Sequence, residues 1–325
     1  MTPFDEAFPG LAKYLGLSDT GADDGLRMCA FICMSTIAVC FVTAELTDNL
    51  SQTDKLWSIM PVVYAWVIEI YSNMSNARTL LMALLATIWG TRLTLNFTRH
   101  GGYSWPPWEG REDYRWVHVR KLLHQGQYPF LFVLFDLLFI AGYCHVILLG
   151  QAMPVFVVAK EGANVPLNRW DFAITLGVLA LIAIESMADE QHQAFQNEKN
   201  KHERLRDSSK PPALRDGFFS SQLFSLCRHP NYAAEQAIWI VFYLFSVNVR
   251  VQNGEPLPQA LIHWSMFGWV MLVSLFTPSA LFSESLSAKK YENYKEYQRT
   301  TWMFFPFGTW GTWEGKTDFP AEYSP

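Results

Sequence analysis

The sequence predicts an all-α, polytopic integral membrane bundle of about seven transmembrane helices, and three observations lead there. Half of the 325 residues are apolar, with 24 Phe, 13 Trp and 13 Tyr, and only 17% are charged, whereas soluble domains average roughly 25% charged residues. The apolar residues gather into long runs, and a helix needs roughly 20 mostly apolar residues to cross the hydrocarbon core. The basic residues between those runs fall mainly on alternate loops, the pattern expected when one set of loops faces the cytoplasm.

Residues 1–27 carry Asp5, Glu6, Asp19, Asp23 and Asp24, the wrong charge for the n-region of a signal peptide or for an Arg-rich transit peptide. They are read as an acidic, non-cytosolic segment, and the first apolar run is expected to remain as a helix. The runs lie at about 28–46, 56–72, 79–98, 129–150, 170–188, 232–249 and 260–282. Glu69 and Arg92 interrupt the second and third, and the sixth is short.

Seven spans put the N-terminus and the loops near 73–78, 151–169 and 250–259 on one side, with six basic residues: Lys13, Arg27, Arg78, Lys160, Arg169 and Arg250. The other side receives eighteen, among them Arg111, Arg115, Arg120, Lys121, Lys199, Lys201, Arg204, Arg206 and Arg228. Basic loops mark the cytoplasm, so the N-terminus is expected outside or in a lumen and the C-terminus in the cytosol. The Trp-, Tyr- and Pro-rich stretch within 99–128 suits a membrane interface or a packed loop. Residues 189–216 read as a polar helix leaving the fifth span and broken at Pro211–Pro212. The membrane domain is taken as 28–310, with 311–325 as a tail. Asn73-Met74-Ser75 is formally a glycosylation sequon in a short outer loop.

Several chemistries are set aside. Cys29, Cys33, Cys40, Cys144 and Cys227 form no C-x-x-C pair, so neither a disulfide framework nor a metal site is expected. No G-x-G-x-x-G follows a strand pattern, and the eight histidines contain no HExxH. His118 and His124 stand without the dense histidine boxes of a membrane di-iron hydroxylase. The basic residues lie at membrane edges, which argues against nucleic acid.

Charges inside a membrane are expensive and ask for a partner or a task. Asp136 and His145 read as helix–helix contacts. Three other groups carry candidate chemistry. Glu185, Asp189 and Gln193, at i, i+4 and i+8, share one face of the fifth span and can accept hydrogen bonds from ribose hydroxyls or an amide; a solvated helix end has the same pattern. In Cys227-Arg228-His229-Pro230-Asn231-Tyr232, Pro230 sits where a helix can start, and Arg228, His229 and the first-turn N–H groups suit an anion; an interfacial cap with a snorkelling arginine is the alternative. Glu235 follows one turn past Asn231. Glu284, Ser287 and Tyr291 share a face just after the seventh span, as they also would on an amphipathic interface helix.

ESMADEQHQAF, CRHPNYAAE and SESLSAKKYENYKEY with the following FFP resemble the steroid 5α-reductase C-terminal-domain family, which includes sterol C14-reductase-like enzymes. WGTRL and EDYRW resemble its 5α-reductase-like branch, and the likeness covers roughly residues 50–310. The resemblance implies a seven-helix bundle whose cytoplasmic half, about 170–300, encloses NADPH. It implies cofactor contacts from Arg92, Glu185, Asp189, Arg228, His229, Asn231, Tyr232, Glu235, Glu284 and Tyr291. Trp89 stands where such reductases have a tyrosine for the substrate's keto oxygen.

The function that follows is NADPH-dependent reduction of a carbon–carbon double bond, conjugated to a carbonyl, in a steroid, sterol or other lipid. Glu69 and Tyr64, with Tyr71 beside them, are the candidates for stabilising the developing enolate oxygen. The basic residues of 199–215 would meet the 2′-phosphate. The expected partners are the lipid substrate and membrane lipids. The expected location is the endoplasmic reticulum in a eukaryote or the inner membrane in a bacterium. The alternatives are an S-adenosylmethionine-dependent methyltransferase resembling isoprenylcysteine carboxyl methyltransferases, which share an R-H-P element, and a non-enzymatic lipid-binding protein.

Overall fold

The computed structural model describes residues 21–74, 76–125, 128–204 and 212–305. The expectations about residues 1–20, Ser75 of the sequon, the basic stretch 205–211 with Pro211, the side chain of His124 and the tail 311–325 fall outside the described residues.

Helix α1, Ala22–Thr47, starts with Asp23 and Asp24 in its first turn, where carboxylates favour the positive end of the helix dipole. It stops at Asp48, whose φ of 52 is left-handed. Short α2 (Gln52–Leu56) leads to α3 (Met60–Tyr71), which has Pro61 in its first turn. Asn76 caps α4 (Ala77–Arg99), its side chain accepting from the Arg78 N–H at 2.9 Å. Then follow α5 (Tyr114–Gln125), α6 (Pro129–Phe135), a π-helical turn at Asp136–Tyr143, and α7 (Cys144–Glu161). Helix α8, Arg169–Arg204, runs 36 residues. After α9 (Pro212–Arg215) come α10 (Pro230–Gln252), α11 (Leu257–Leu261), α12 (Phe267–Lys290) and α13 (Tyr294–Thr300).

Among the described residues there is no strand, only a single parallel bridge between Cys227 and Trp302. Among the described residues six helices are long and apolar enough to cross a membrane: Ala22–Thr47, Ala77–Arg99, Pro129–Glu161, Arg169–Glu203, Pro230–Gln252 and Leu257–Lys290. The second apolar run yields α3, twelve residues, or about 18 Å at 1.5 Å per residue, shorter than the ~30 Å hydrocarbon core. The turn at 57–59 separates it from α2. Helix α8 is about 54 Å long by the same rise, so its charged C-terminal half continues past the apolar part as one polar helix.

The chain forms two compact units, Met1–Leu176 with Trp239–Leu272, and Gly177–Ile238 with Val273–Pro325. In the first, α3 packs against α1, α4 and α7. The Cys29 thiol lies 3.6 Å from the Tyr64 carbonyl and Cys33 lies 3.6 Å from that of His145. All five cysteines are free and buried. A fully buried arginine, Arg78, donates to both oxygens of Asp171 at 2.7 and 2.8 Å and to the carbonyls of Pro166 and Val165. Asn248 completes that knot by donating to Asp171 at 2.9 Å. Helices α7 and α12 cross backbone to backbone: a Cβ on Gly268 would come within 2.2 Å of Gly150. The Trp-rich segment is a packed loop, held by buried Lys55, whose ammonium donates to the Pro107 and Glu109 carbonyls at 3.0 and 2.5 Å.

The second unit has two aromatic clusters. Phe195, Phe219 and Phe224 pack with Ala188 and Leu214, and Phe218 packs with Tyr294 and Tyr297. Residues 302–303 run beside 228–229, the Arg228 and His229 N–H groups donating to the Trp302 and Met303 carbonyls at 2.7 and 3.0 Å.

Candidate functional site

The second unit holds all but one of the residues expected to contact a cofactor. Asp189 comes from α8 and Asn231 from the first turn of α10, which Pro230 opens. The Asn231 amide donates to the Asp189 carboxylate at 3.1 Å across 42 residues of sequence. One turn away on each helix, Glu185 and Glu235 are both buried. Gln193 is turned along its own helix, donating to Asn197 at 2.8 Å.

Glu284, on α12, is the hub of the neighbouring group. It accepts from Arg228 Nε at 2.6 Å, Arg228 Nη2 at 3.1 Å and Gln298 at 2.8 Å, and it faces His229 Nε2 at 2.9 Å. Arg228 also donates to the Gln298 carbonyl at 3.1 Å and to that of Thr301. The His229 ring stacks on Tyr232, centroids 5.4 Å apart, and Tyr232 meets Phe276 edge-on at 4.8 Å. Arg228 and His229 thus serve Glu284 and the 301–303 segment, and in this arrangement they position the start of α10.

Tyr291, just past α12, receives a 2.9 Å hydrogen bond from Lys199, which also donates to the Gly217 carbonyl at 2.7 Å. Gly217 has φ +77, and a Cβ there would come within 2.7 Å of the Tyr291 ring, so glycine is required on both counts. Burial raises the Tyr291 phenol, but hydrogen bonds from Lys199 and Lys290 outweigh it and hold the group below its ordinary value. Buried Tyr297 is pushed well above its ordinary value, and burial takes the Cys227 thiol up to about 11. Two ammonium groups thus converge on this phenol.

Arg92 lies on α4 in the first unit, half-buried. Trp89, one turn before it, is buried with its ring edge-on to Trp239 at 4.8 Å. Tyr64 and Glu69 are wholly buried on α3 in that same unit. The Tyr64 hydroxyl lies near Cys33 and Thr36 and the Glu69 carboxyl near Thr79, though none of these contacts has the distance and angle of an ordinary hydrogen bond. A buried polar atom left unpaired costs about 1–3 kcal/mol, so such a set suits the polar end of an apolar ligand. Tyr71, also on α3, is buried too.

Sequence reasoning passed over Gln151, buried on α7 with both amide atoms unpartnered among the described residues; it stands just past the run expected at 129–150, and only the continuation of α7 to Glu161 puts it inside a helix. His145 behaves as a helix–helix contact, Nδ1 lying 2.8 Å from the Ala141 carbonyl and Nε2 3.8 Å from Cys40. Among the described residues no three His, Cys, Asp or Glu side chains gather as a metal site would require.

No solved structure matches the chain. An uncharacterised protein of Schizosaccharomyces pombe (strain 972 / ATCC 24843), C594.04c, is 34% identical over 270 residues, covering 80% of this chain and 73% of its own length. The family profile described as a protein of unknown function, DUF1295, matches residues 40–301. The chain therefore belongs to the DUF1295 family of helical membrane proteins.

Proposed function

We propose that this protein is an NADPH-dependent reductase of a carbon–carbon double bond, conjugated to a carbonyl, in a steroid, sterol or related lipid. The observation that carries the reading is the 3.1 Å bond between Asn231 and Asp189, an amide and a carboxylate 42 residues apart in sequence and brought together from two helices. The likeness of the 185–195, 227–235 and 283–297 segments to the steroid 5α-reductase family adds to it.

The residues fit a dinucleotide in two places. Asp189 and Asn231 offer an acceptor and a donor for ribose hydroxyls or an amide, with buried Glu185 and Glu235 one turn away. Lys199 and Lys290, both against the Tyr291 ring at 5.0 and 5.2 Å, offer cations for a phosphate. The Arg228–Glu284 pair holds the start of α10 in place. When bound, NADPH supplies the hydride. In the first unit, Tyr64 and Glu69 hold polar atoms in a dry interior, where a donor aimed at a developing enolate oxygen is most effective.

In this reading α3 completes a seventh, partial crossing, the N-terminus lies outside or in a lumen, and the charged ends of α8 and α12 face the cytosol, where NADPH is held. The membrane is the endoplasmic reticulum in a eukaryote or the inner membrane in a bacterium. Titration of the purified protein with NADPH and, separately, S-adenosylmethionine tests the assignment. Saturable NADPH binding and NADPH consumption with an unsaturated ketone are expected; binding of S-adenosylmethionine alone would point to methyl transfer, and binding of neither to a non-catalytic lipid carrier.

A further inference from the structure

We infer that Asp136 and Glu45 hold one proton between them, and that this proton keeps α1 seated on the π-helical turn of the first unit. Asp136 opens that turn, and π-helical turns are rare and gather at functional sites. The residue is 1% exposed, and its Oδ2 has no hydrogen-bond partner among the described residues. The inference does not use the reductase reading.

The surroundings of that oxygen are apolar and acidic. Phe132 and Ile140, one turn before and one turn after Asp136, pack with Ala44 of α1. Asp136 therefore lies on the face turned toward α1. Glu45, the next residue of α1, is exposed, and its carboxyl stands beside that of Asp136.

The nearby cations are engaged elsewhere. Arg120 of α5 stands over the Phe132 ring at 5.6 Å. Its Nη2 donates to Glu112 at 2.8 Å and to the Asp48 carbonyl at 3.0 Å, with the Asp48 carboxylate 3.3 Å away. One guanidinium thus has Asp48, Glu112 and Asp136 about it, and Glu45 adds a fourth acid. Lys55 of α2 donates to Gln52 and to the Pro107 and Glu109 carbonyls. Cys40, one turn before Ala44 and near Asp136, has its thiol 3.8 Å from His145 Nε2. None of these groups supplies a donor to Asp136 Oδ2.

Two carboxylates side by side, one of them in a dry interior, repel too strongly for both to be ionised. A proton on Asp136 removes the repulsion and turns an orphaned acceptor into an O–H that Glu45 accepts. Burial penalises the charged form of Asp136, so exposed Glu45 is the member that keeps its charge. A metal ion would need more oxygen ligands than this pair offers, and among the described residues no three His, Cys, Asp or Glu side chains gather to hold one.

Infrared spectroscopy of the purified full-length protein in detergent at neutral pH tests the inference. The difference between wild type and Asp136→Asn should contain the C=O stretch of a protonated carboxyl, moved in D2O. Glu45→Gln should shift that band, because it changes the group to which the O–H donates. The folded protein keeps a proton that the unfolded chain, whose carboxyls titrate at about 4, has released. Raising the pH until the band is lost should therefore lower the thermal midpoint of wild type more than that of Asp136→Asn. Asparagine is close to aspartic acid in volume and its amide also donates; if that variant does not fold, Glu45→Gln, at an exposed position, carries the band test. The proposal is overturned if wild type has no band that the asparagine variant lacks, or if Glu45→Gln leaves the band unmoved. It is equally overturned if wild type and Asp136→Asn lose stability with pH in parallel.

Discussion

Arg228 and Glu284 form a two-pronged ion pair across 56 residues of sequence, Nε to Oε1 at 2.6 Å and Nη2 to Oε2 at 3.1 Å. Their side chains are 9% and 2% exposed, so neither charge has water to fall back on. Glu284→Ala strands the guanidinium, and breaking such a buried pair costs about 3–5 kcal/mol. Glu284→Gln keeps an acceptor and should lose less. Denaturant unfolding in detergent compares the two; a glutamine variant as stable as wild type would mean that the charge on Glu284 is immaterial.

Asp189→Ala and Asn231→Ala each remove one half of the 3.1 Å bond between α8 and α10. Each should weaken NADPH binding about tenfold or more, the scale of a hydrogen bond to a charged group, with insertion and purification unchanged. Calorimetric titration of both variants is the measurement. Wild-type nucleotide affinity in both would remove these residues from the proposed pocket.

Arg78 uses its planar fork fully, with two bonds to Asp171 and two to backbone carbonyls. Lysine carries the charge without the fork, so Arg78→Lys should recover only part of the stability lost in Arg78→Ala. Thermal unfolding in detergent should rank wild type above lysine above alanine. A lysine variant as stable as wild type would show that charge alone suffices there.

The Tyr291 phenol, held low by Lys199 and Lys290 despite burial, ionises in the folded protein before it does in the unfolded chain, where tyrosine titrates near about 10. Between those two values the unfolded state binds more protons, so this group's contribution to stability grows as pH rises through the window and is absent below it. Tyrosine Cζ NMR should show one phenol titrating early, lost in Tyr291→Phe and moved upward in Lys199→Met. An unchanged titration in the lysine variant would contradict the assigned cause.

Much of the fold was legible because its rules are local. A run of apolar residues declares its core, so the long helices cover their expected runs, but helix continues past the expected end at 150 to Glu161 and past 282 to Lys290; the polar continuation of α8 follows from the charges after Asp189. Pro230 likewise announced the start of α10. The second apolar run misled on length: the letters from 56 to 72 read continuously, but the chain turns at 57–59 and helix resumes only at Met60. Within the site, the face bearing Glu185 and Asp189 was visible from its four-residue spacing. That Arg228 would pair with Glu284 was not visible, since nothing near either residue names the other.

By itself the sequence determined that this is a helical membrane protein with polar groups concentrated after its fifth, sixth and seventh apolar runs, because hydrocarbon imposes its demand on each stretch of chain separately. Only the tertiary structure decided which buried polar atoms are served and which are left waiting. Asp171 is met by Arg78 and Asn248, and Glu284 by Arg228 and Gln298, whereas the Gln151 amide has no hydrogen-bond partner among the described residues. Hydrogen bonds act over about 3 Å, and what lies within that reach is set by how distant helices pack.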